Sequence, residues 1–255
     1  MDVVERVRWG YADAERRRTR FVQGGEVLEL DGVVMGFTNL PDDAQNGGLV
    51  TAMPADPAET IRGAAAAAAE RGHGLGLEVE RGRFPEFEAA LADAGLTKLF
   101  AKPALAADPR SMWRPARPAD LHVSAVVDDT GRAAMVHVET DAFGTDLEVA
   151  RGLLSRHMLE DPDTRAFIGM LNRSPIAQVI AYHHQGAIGV YGVGVRSNAR
   201  RRGIGGAMTV IAALAFPGAD LVWLHPTDMA RSMYERLGFH EVAIWDVWTG
   251  LDAAP

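Results

Sequence analysis

One stretch constrains this chain more than any other: Gly-Val-Gly-Val-Arg-Ser-Asn-Ala-Arg-Arg-Arg-Gly-Ile-Gly-Gly-Ala-Met-Thr-Val-Ile-Ala-Ala-Leu-Ala-Phe, from Gly192 to Phe216. An apolar run with strand character ends at Val195, and a basic, glycine-rich turn covers Arg200 to Gly206. An apolar run with helix character then fills Ala207 to Phe216 until Pro217 stops it. The first amides of a helix have no intrahelical acceptor and carry the positive end of its dipole, so this order of elements builds an anion cradle. Gly203, Gly205 and Gly206 put no side chain in the way, and Arg200, Arg201 and Arg202 add charge. A diphosphate suits such a turn better than a lone carboxylate.

The 255 residues allow one large domain or two smaller ones, and the 47% apolar and 24% charged fractions are those of a globular protein. With no cysteine, disulfides, thiolate nucleophiles and zinc–thiolate sites are excluded. A net charge of -8 argues against a nucleic-acid partner. The start, Met1 to Gly10, mixes charges with its valines and does not read as a signal peptide, and no apolar run is long enough to span a membrane. The expectation is a cytoplasmic protein, monomer or homodimer, with no nucleic-acid or membrane partner and no metal. His137, His157, His183 and His184 do not stand at metal-ligand spacing.

Val3 to Arg18 predicts an amphipathic helix, and Glu26 to Phe37 a hairpin turning at Asp31-Gly32. Asp42 to Gly48 reads as a polar loop. Asp56-Pro57-Ala58-Glu59 starts a helix that runs through the alanines to Gly72. Gly74 to Glu80 reads as a strand, Pro85 to Ala94 as a helix and Leu96 to Ala101 as a strand. The stretch from Ala106 through Pro118 reads as a proline-punctuated linker, which places a boundary near residue 115.

Beyond it, Leu121 to Val127 predicts a strand, Arg132 to about Thr140 a helix, and Thr145 with Glu148 a capping box opening a helix to about Met158. Arg165 to Leu171, Ile176 to His183 and Ala187 to Val195 form an antiparallel meander. The crossover through the glycine-rich turn makes the strand 221 to 225 a parallel neighbour of 187 to 195, so the sheet is mixed. Gly189, Gly192 and Gly194 within one strand point to a bulge or a close approach by ligand.

This pattern resembles the GNAT acetyltransferase superfamily. Its acyl-CoA signature is matched by Arg200-Arg201-Arg202-Gly203-Ile204-Gly205, and its downstream motif by Thr227, Ala230, Met233, Tyr234, Gly238 and Phe239. Thr227 stands where the family has Asn. The likeness covers about residues 118 to 250. A Rossmann reading is weaker, because no third glycine stands at Met208, and a Walker loop fails for want of Gly-Lys-Ser or Gly-Lys-Thr.

The resemblance implies an α+β fold, a mixed, mostly antiparallel sheet flanked by helices. It implies transfer of an acetyl group from acetyl-CoA, the co-substrate, to an amine of a small molecule or peptide by direct attack in a ternary complex. The amides of Arg201 to Ala207, Gly206 among them, are expected to hold the pyrophosphate. The backbone of Val193, Gly194 and Val195 is expected to pair with the pantetheine, and Thr227 to take the Asn position. Tyr234 is the expected general acid to the leaving thiolate. The strand carries no Glu to act as base; Tyr191, His225 and Glu148 are the candidates. The other reading is a non-catalytic GNAT-like CoA-binding sensor or interaction module, motivated by that missing Glu and by Thr227.

The first half echoes the second. Strand 74 to 80, helix 85 to 94 and strand 97 to 101 parallel 221 to 225, 228 to 237 and 241 to 248, while Ile61 to Ala65 stands where the cradle would fall. Asp56-Pro57 starts that helix too early for Gly63 to lie at its end. The expected organisation is therefore tandem: a degenerate GNAT-like domain without a cofactor site at 1 to 115, and a GNAT N-acetyltransferase domain at 116 to 255.

Overall fold

The computed structural model describes residues 2–250. Helix α1 (Val3–Phe21) leads to the hairpin β1 (Glu26–Leu30) and β2 (Val33–Phe37), then β3 (Asn46–Val50), α2 (Pro57–Ala69), β4 (Leu75–Glu80), α3 (Pro85–Asp93) and β5 (Thr97–Ala107). Strand β6 (Leu121–Ala125) precedes α4 (Asp129–Phe143), α5 (Leu147–Leu153) and α6 (Arg156–Glu160). The meander β7 (Thr164–Leu171), β8 (Ser174–His184) and β9 (Ala187–Val195) follows. The last elements are α7 (Ile204–Ala213), β10 (Leu221–Leu224), α8 (Asp228–Leu237) and β11 (His240–Gly250).

Local chemistry accounts for most of these boundaries. Asp56 accepts from the amide of Glu59 at the start of α2, with Pro57 in its first turn, and Asp128 accepts from Gly131 at the start of α4. Gly144 and Gly238 close α4 and α8 in the left-handed region. Asn172-Arg173 and Gln185-Gly186 both hold positive φ, which gives the two-residue turns that keep β7, β8 and β9 in a tight meander.

The chain divides into two compact units. One comprises the chain up to Ala14 with Leu105–Val242, the other Glu15–Ala104 with the chain from Ala243 onward. In the first the strand order is β5-β10-β9-β8-β7-β6, and in the second β1-β2-β3-β4-β11. The pairings match step for step. β1 with β2 and β2 with β3 are antiparallel, β3 with β4 parallel and β4 with β11 antiparallel. Likewise β7 with β8 and β8 with β9 are antiparallel, β9 with β10 parallel and β10 with β5 antiparallel.

Each unit has its own core. Val179, Val190, Met208, Val222 and Leu237 belong to that of the first, and Met35, Leu77, Phe87, Leu91 and Trp248 to that of the second.

Five sequence expectations are corrected. Asp42 to Gly48 is not a loop throughout, because β3 begins at Asn46. A Cβ on Gly48 would lie 2.4 Å from Met35 Sδ and 2.7 Å from Leu77 Cδ2, so glycine there serves close packing within a strand. The linker expected from Ala106 starts later, since Ala106 and Ala107 pair with Trp223 and Val222. The helix expected from Thr145 to Met158 is two, broken at Leu154-Ser155, and Asp146, not Thr145, caps the first. The helix after the cradle starts at Ile204 rather than Ala207 and ends at Ala213. Because the chain beyond Ala243 joins the second unit, the units are not consecutive halves divided near residue 115.

Candidate functional site in the first unit

Strand β10 follows β9 for three residues only, with Leu221 opposite Ala187, Val222 opposite Ile188 and Trp223 opposite Gly189. From Val190 to Val195, β9 has no partner on that side among the described residues. On its other side the register to β8 slips: Gln178 lies opposite Gly194 but Ile180 opposite Tyr191, so β9 carries one extra residue, a bulge in which Gly192 takes φ +56°. The sheet thus opens along its one parallel pair in this unit, beside a bulge. A backbone edge left unpaired in this way can take an extended ligand as an added strand.

At the end of that opening lies the glycine-rich turn. Arg201 holds φ +59° and Gly203 φ +76°, an unfavourable conformation for arginine that aims successive amides into one concavity. Among the described residues the amides of Ile204, Gly205 and Gly206 have no acceptor. That of Ala207 donates to the Gly203 carbonyl at 3.1 Å, so the expected run of open amides stops one residue short. A Cβ on Gly205 would stand 3.2 Å from Met233 Sδ, and one on Gly206 3.5 Å from Pro115 Cγ.

The three arginines divide their tasks. Arg200 donates to the carbonyls of Val195 at 3.1 Å and Ala142 at 2.7 Å, which ties the turn to the ends of β9 and α4. Arg202 meets Asp120 at 3.2 Å, and Arg201 is exposed with no ion pair among the described residues.

Val193 and Val195 pack on the core under α7, while Gly194 points the other way, where a Cβ would come within 3.0 Å of Phe143 Cε2. Thr227 precedes α8 with an exposed hydroxyl that makes no capping bond. Tyr234 is 6% exposed and stands edge-to-face on Phe239 at 5.8 Å between centroids. Burial pushes its phenol up to about 12, and the phenol shares a hydrogen bond with Thr209. Thr209 donates in turn to the Gly205 carbonyl at 2.9 Å, so its oxygen is left to accept from Tyr234.

Of the three expected base candidates, two share one aromatic cluster and the third stands apart. Tyr191 and His225 both border Trp223, at 5.7 and 5.6 Å between ring centroids, and Tyr11 of α1 packs on His225 at 4.6 Å. Glu148 is exposed in the first turn of α5. The sequence reading passed over three residues that the structure places close by: Thr209, Gln178 and Glu139. Gln178 is fully buried, donates through Nε2 to Glu139 of α4, and leaves Oε1 without a hydrogen-bond partner. An unpaired buried carbonyl of this kind costs about 1–3 kcal/mol. Its signal was a single amide inside the apolar run Ile176 to Ala181.

An open cleft of about 530 Å³ lined by His137, Thr140, Asp141, Pro175 and Arg196 shares no residue with the expected site. Among the described residues no group of His, Asp and Glu is arranged to hold a metal ion, and no helix is long and apolar enough to cross a membrane.

A mixed, largely antiparallel sheet flanked by helices, opened along one parallel pair and closed off by a glycine-rich helix end, is the GNAT fold. Residues 132–239 match the acetyltransferase (GNAT) family, and the chain carries a domain of that family. Among solved structures it is similar over 100% of its length, and 97% of the other's, to a GCN5-related N-acetyltransferase from Kribbella flavida, with a TM-score of 0.75 and 23% identity. A tandem GNAT protein from the clavulanic acid biosynthesis pathway matches 88% of this chain with 79% of its own, at a TM-score of 0.62 and 17% identity. For a GCN5-related N-acetyltransferase from Sphaerobacter thermophilus the shares are 88% and 78%, the TM-score 0.60 and the identity 15%. No curated protein matches the sequence.

Proposed function

We propose that the first unit transfers an acetyl group from acetyl-CoA to an amine of a small molecule or peptide, both substrates being bound together. The observation that carries this is the placing of three open helix-end amides, at Ile204, Gly205 and Gly206, next to the unpaired edge of β9. The residues present fit the cofactor. The amides with Arg201 suit a diphosphate, and the backbone of Val193 to Val195 suits the two amides of a pantetheine arm. Acetyl-CoA supplies an activated thioester.

What remains for the protein is to orient the amine, receive its proton and supply a proton to sulfur. Tyr234 is suited to the last. A phenol held near 12 stays protonated at neutral pH and can donate once it leaves Thr209.

The second unit is read as a GNAT-like repeat without a cofactor site. Its strand order supports the repeat, and the carboxylate of Asp56 occupies the start of α2 where an anion would otherwise bind.

Calorimetry with acetyl-CoA tests the reading. Binding is expected, and Gly203→Val, which forces a β-branched residue to φ +76°, is expected to weaken it about tenfold or more. No heat at near-millimolar acetyl-CoA sinks the proposal. Binding without turnover of any amine, indifferent to Tyr234→Phe, identifies a sensor or interaction module instead.

A further inference from the structure

One face of the first unit's sheet is closed to an acceptor. Ala177, Val179, Ala181 and Val190 point into the core with Ile204 and Met208 of α7. Residues that alternate with them point to the opposite face, where α4 lies. There, beside the bulge of β9, stand Gln178 and Glu139. A Cβ on Gly192 would be 3.6 Å from Gln178 Nε2, and one on Gly194 3.3 Å from Gln178 Cγ, so this amide lies against the strand whose other edge is open.

Glu139 is half-buried, and two neutral side-chain donors help to orient it. Gln178 Nε2 donates to Oε2, and Thr145 Oγ1 to Oε1 at 3.3 Å. Independently, the fully buried Gln178 keeps Oε1 without a partner among the described residues. A carboxylate beside an unsatisfied carbonyl is an acceptor-only constellation, and its complement is a group with several N–H donors and positive charge. One helical turn further along α4, Phe143 lies over Gly194 with 48% of its surface exposed, an apolar surface for the carbon bearing such a group.

Resting on the acetyl-transfer reading, we infer that Glu139 binds the acceptor as an ammonium ion and takes its proton, which selects primary amines with no carboxylate on the amine-bearing carbon. In that step one N–H bond breaks and an O–H bond forms on Glu139. The electron pair stays on nitrogen as the nucleophile, nothing is oxidised, and the proton later passes to water. Gln178 and Thr145 are positioning residues. A carboxylate next to the amine would be brought within a few ångströms of Glu139 in a half-buried setting, and the repulsion corresponds to selection of about a hundredfold.

Matched probes test this in the full chain with CoA present: phenethylamine against phenylalanine, and butylamine against norvaline, titrated by calorimetry. Each amine is expected to bind about a hundredfold more tightly than its amino acid. Glu139→Gln is expected to abolish that preference and weaken amine binding by about a hundredfold, with CoA affinity and melting temperature unchanged, while Glu139→Asp restores part of it. Turnover of phenethylamine is expected to fall by about 10²–10⁴ in Glu139→Gln.

Equal binding of the paired probes, no binding of either amine, or full amine affinity and turnover in Glu139→Gln overturns the inference. Should Glu139→Gln not fold, the paired probes on the unaltered protein decide. Failure of acetyl-CoA itself to bind overturns the acetyl-transfer reading instead.

Discussion

Tyr234 shows how far single residues can be read from sequence. Its place in the motif was legible, but its state was not, because burial and the bond to Thr209 depend on α7 lying against α8. The shift has a consequence for stability. The folded pKa lies above the unfolded value of about 10, so the native state keeps its proton where the unfolded chain has lost it. The contribution is fully present below pH 10 and lost as pH rises towards 12. Tyr234→Phe is therefore expected to flatten the alkaline fall in stability between pH 10 and 12 while lowering kcat by about a hundredfold or more, measured by denaturant midpoints across pH and by thiol release. An unchanged alkaline profile would mean that the phenol ionises as freely folded as unfolded. Arg200 went the other way. Its charge reads as part of the cradle; the guanidinium also donates to two carbonyls that no local sequence signal names.

Elements were legible where the chemistry is local. The cap at Asp56, the turns at Asp31-Gly32 and Gln185-Gly186, and the meander all follow from neighbouring residues. Strand β3 was not, since Asn46-Gly47-Gly48 has the composition of a loop and only the packing of Met35 and Leu77 explains the glycine. Replacing that glycine gives a direct check. Gly48→Ala is expected to cost about 1–3 kcal/mol, read as a lowered urea midpoint, because Met35 and Leu77 must shift to admit a methyl group. A neutral result would show that both side chains have room the structure does not display. The break between α5 and α6 was likewise hidden, because Thr145 offered a plausible cap while its hydroxyl in fact turns to Glu139.

For the whole molecule, the repeat was visible in the sequence but the exchange of strands was not. Periodicity reports which residues form a strand and not which sheet receives it. Strand β5, from the first half of the sequence, pairs with β10, and β11, from the second half, pairs with β4. Cutting the chain between residues 115 and 116 therefore leaves each piece without a strand its sheet requires, and exposes a central strand as an edge. Neither piece alone is expected to unfold cooperatively, and mixing the two is expected to restore a single transition and acetyl-CoA binding. A piece 116–255 that melts like the intact chain would show that β5 is dispensable.

The exchanged strands also set a timetable. On the ribosome β4 emerges long before its partner, and its pairing with Trp245 to Gly250 must wait until almost all the described residues have been made. During that interval a hydrophobic sheet of four strands is open on one side, which is when a nascent chain is most exposed to aggregation. The half of the protein made first is thus the half that finishes last.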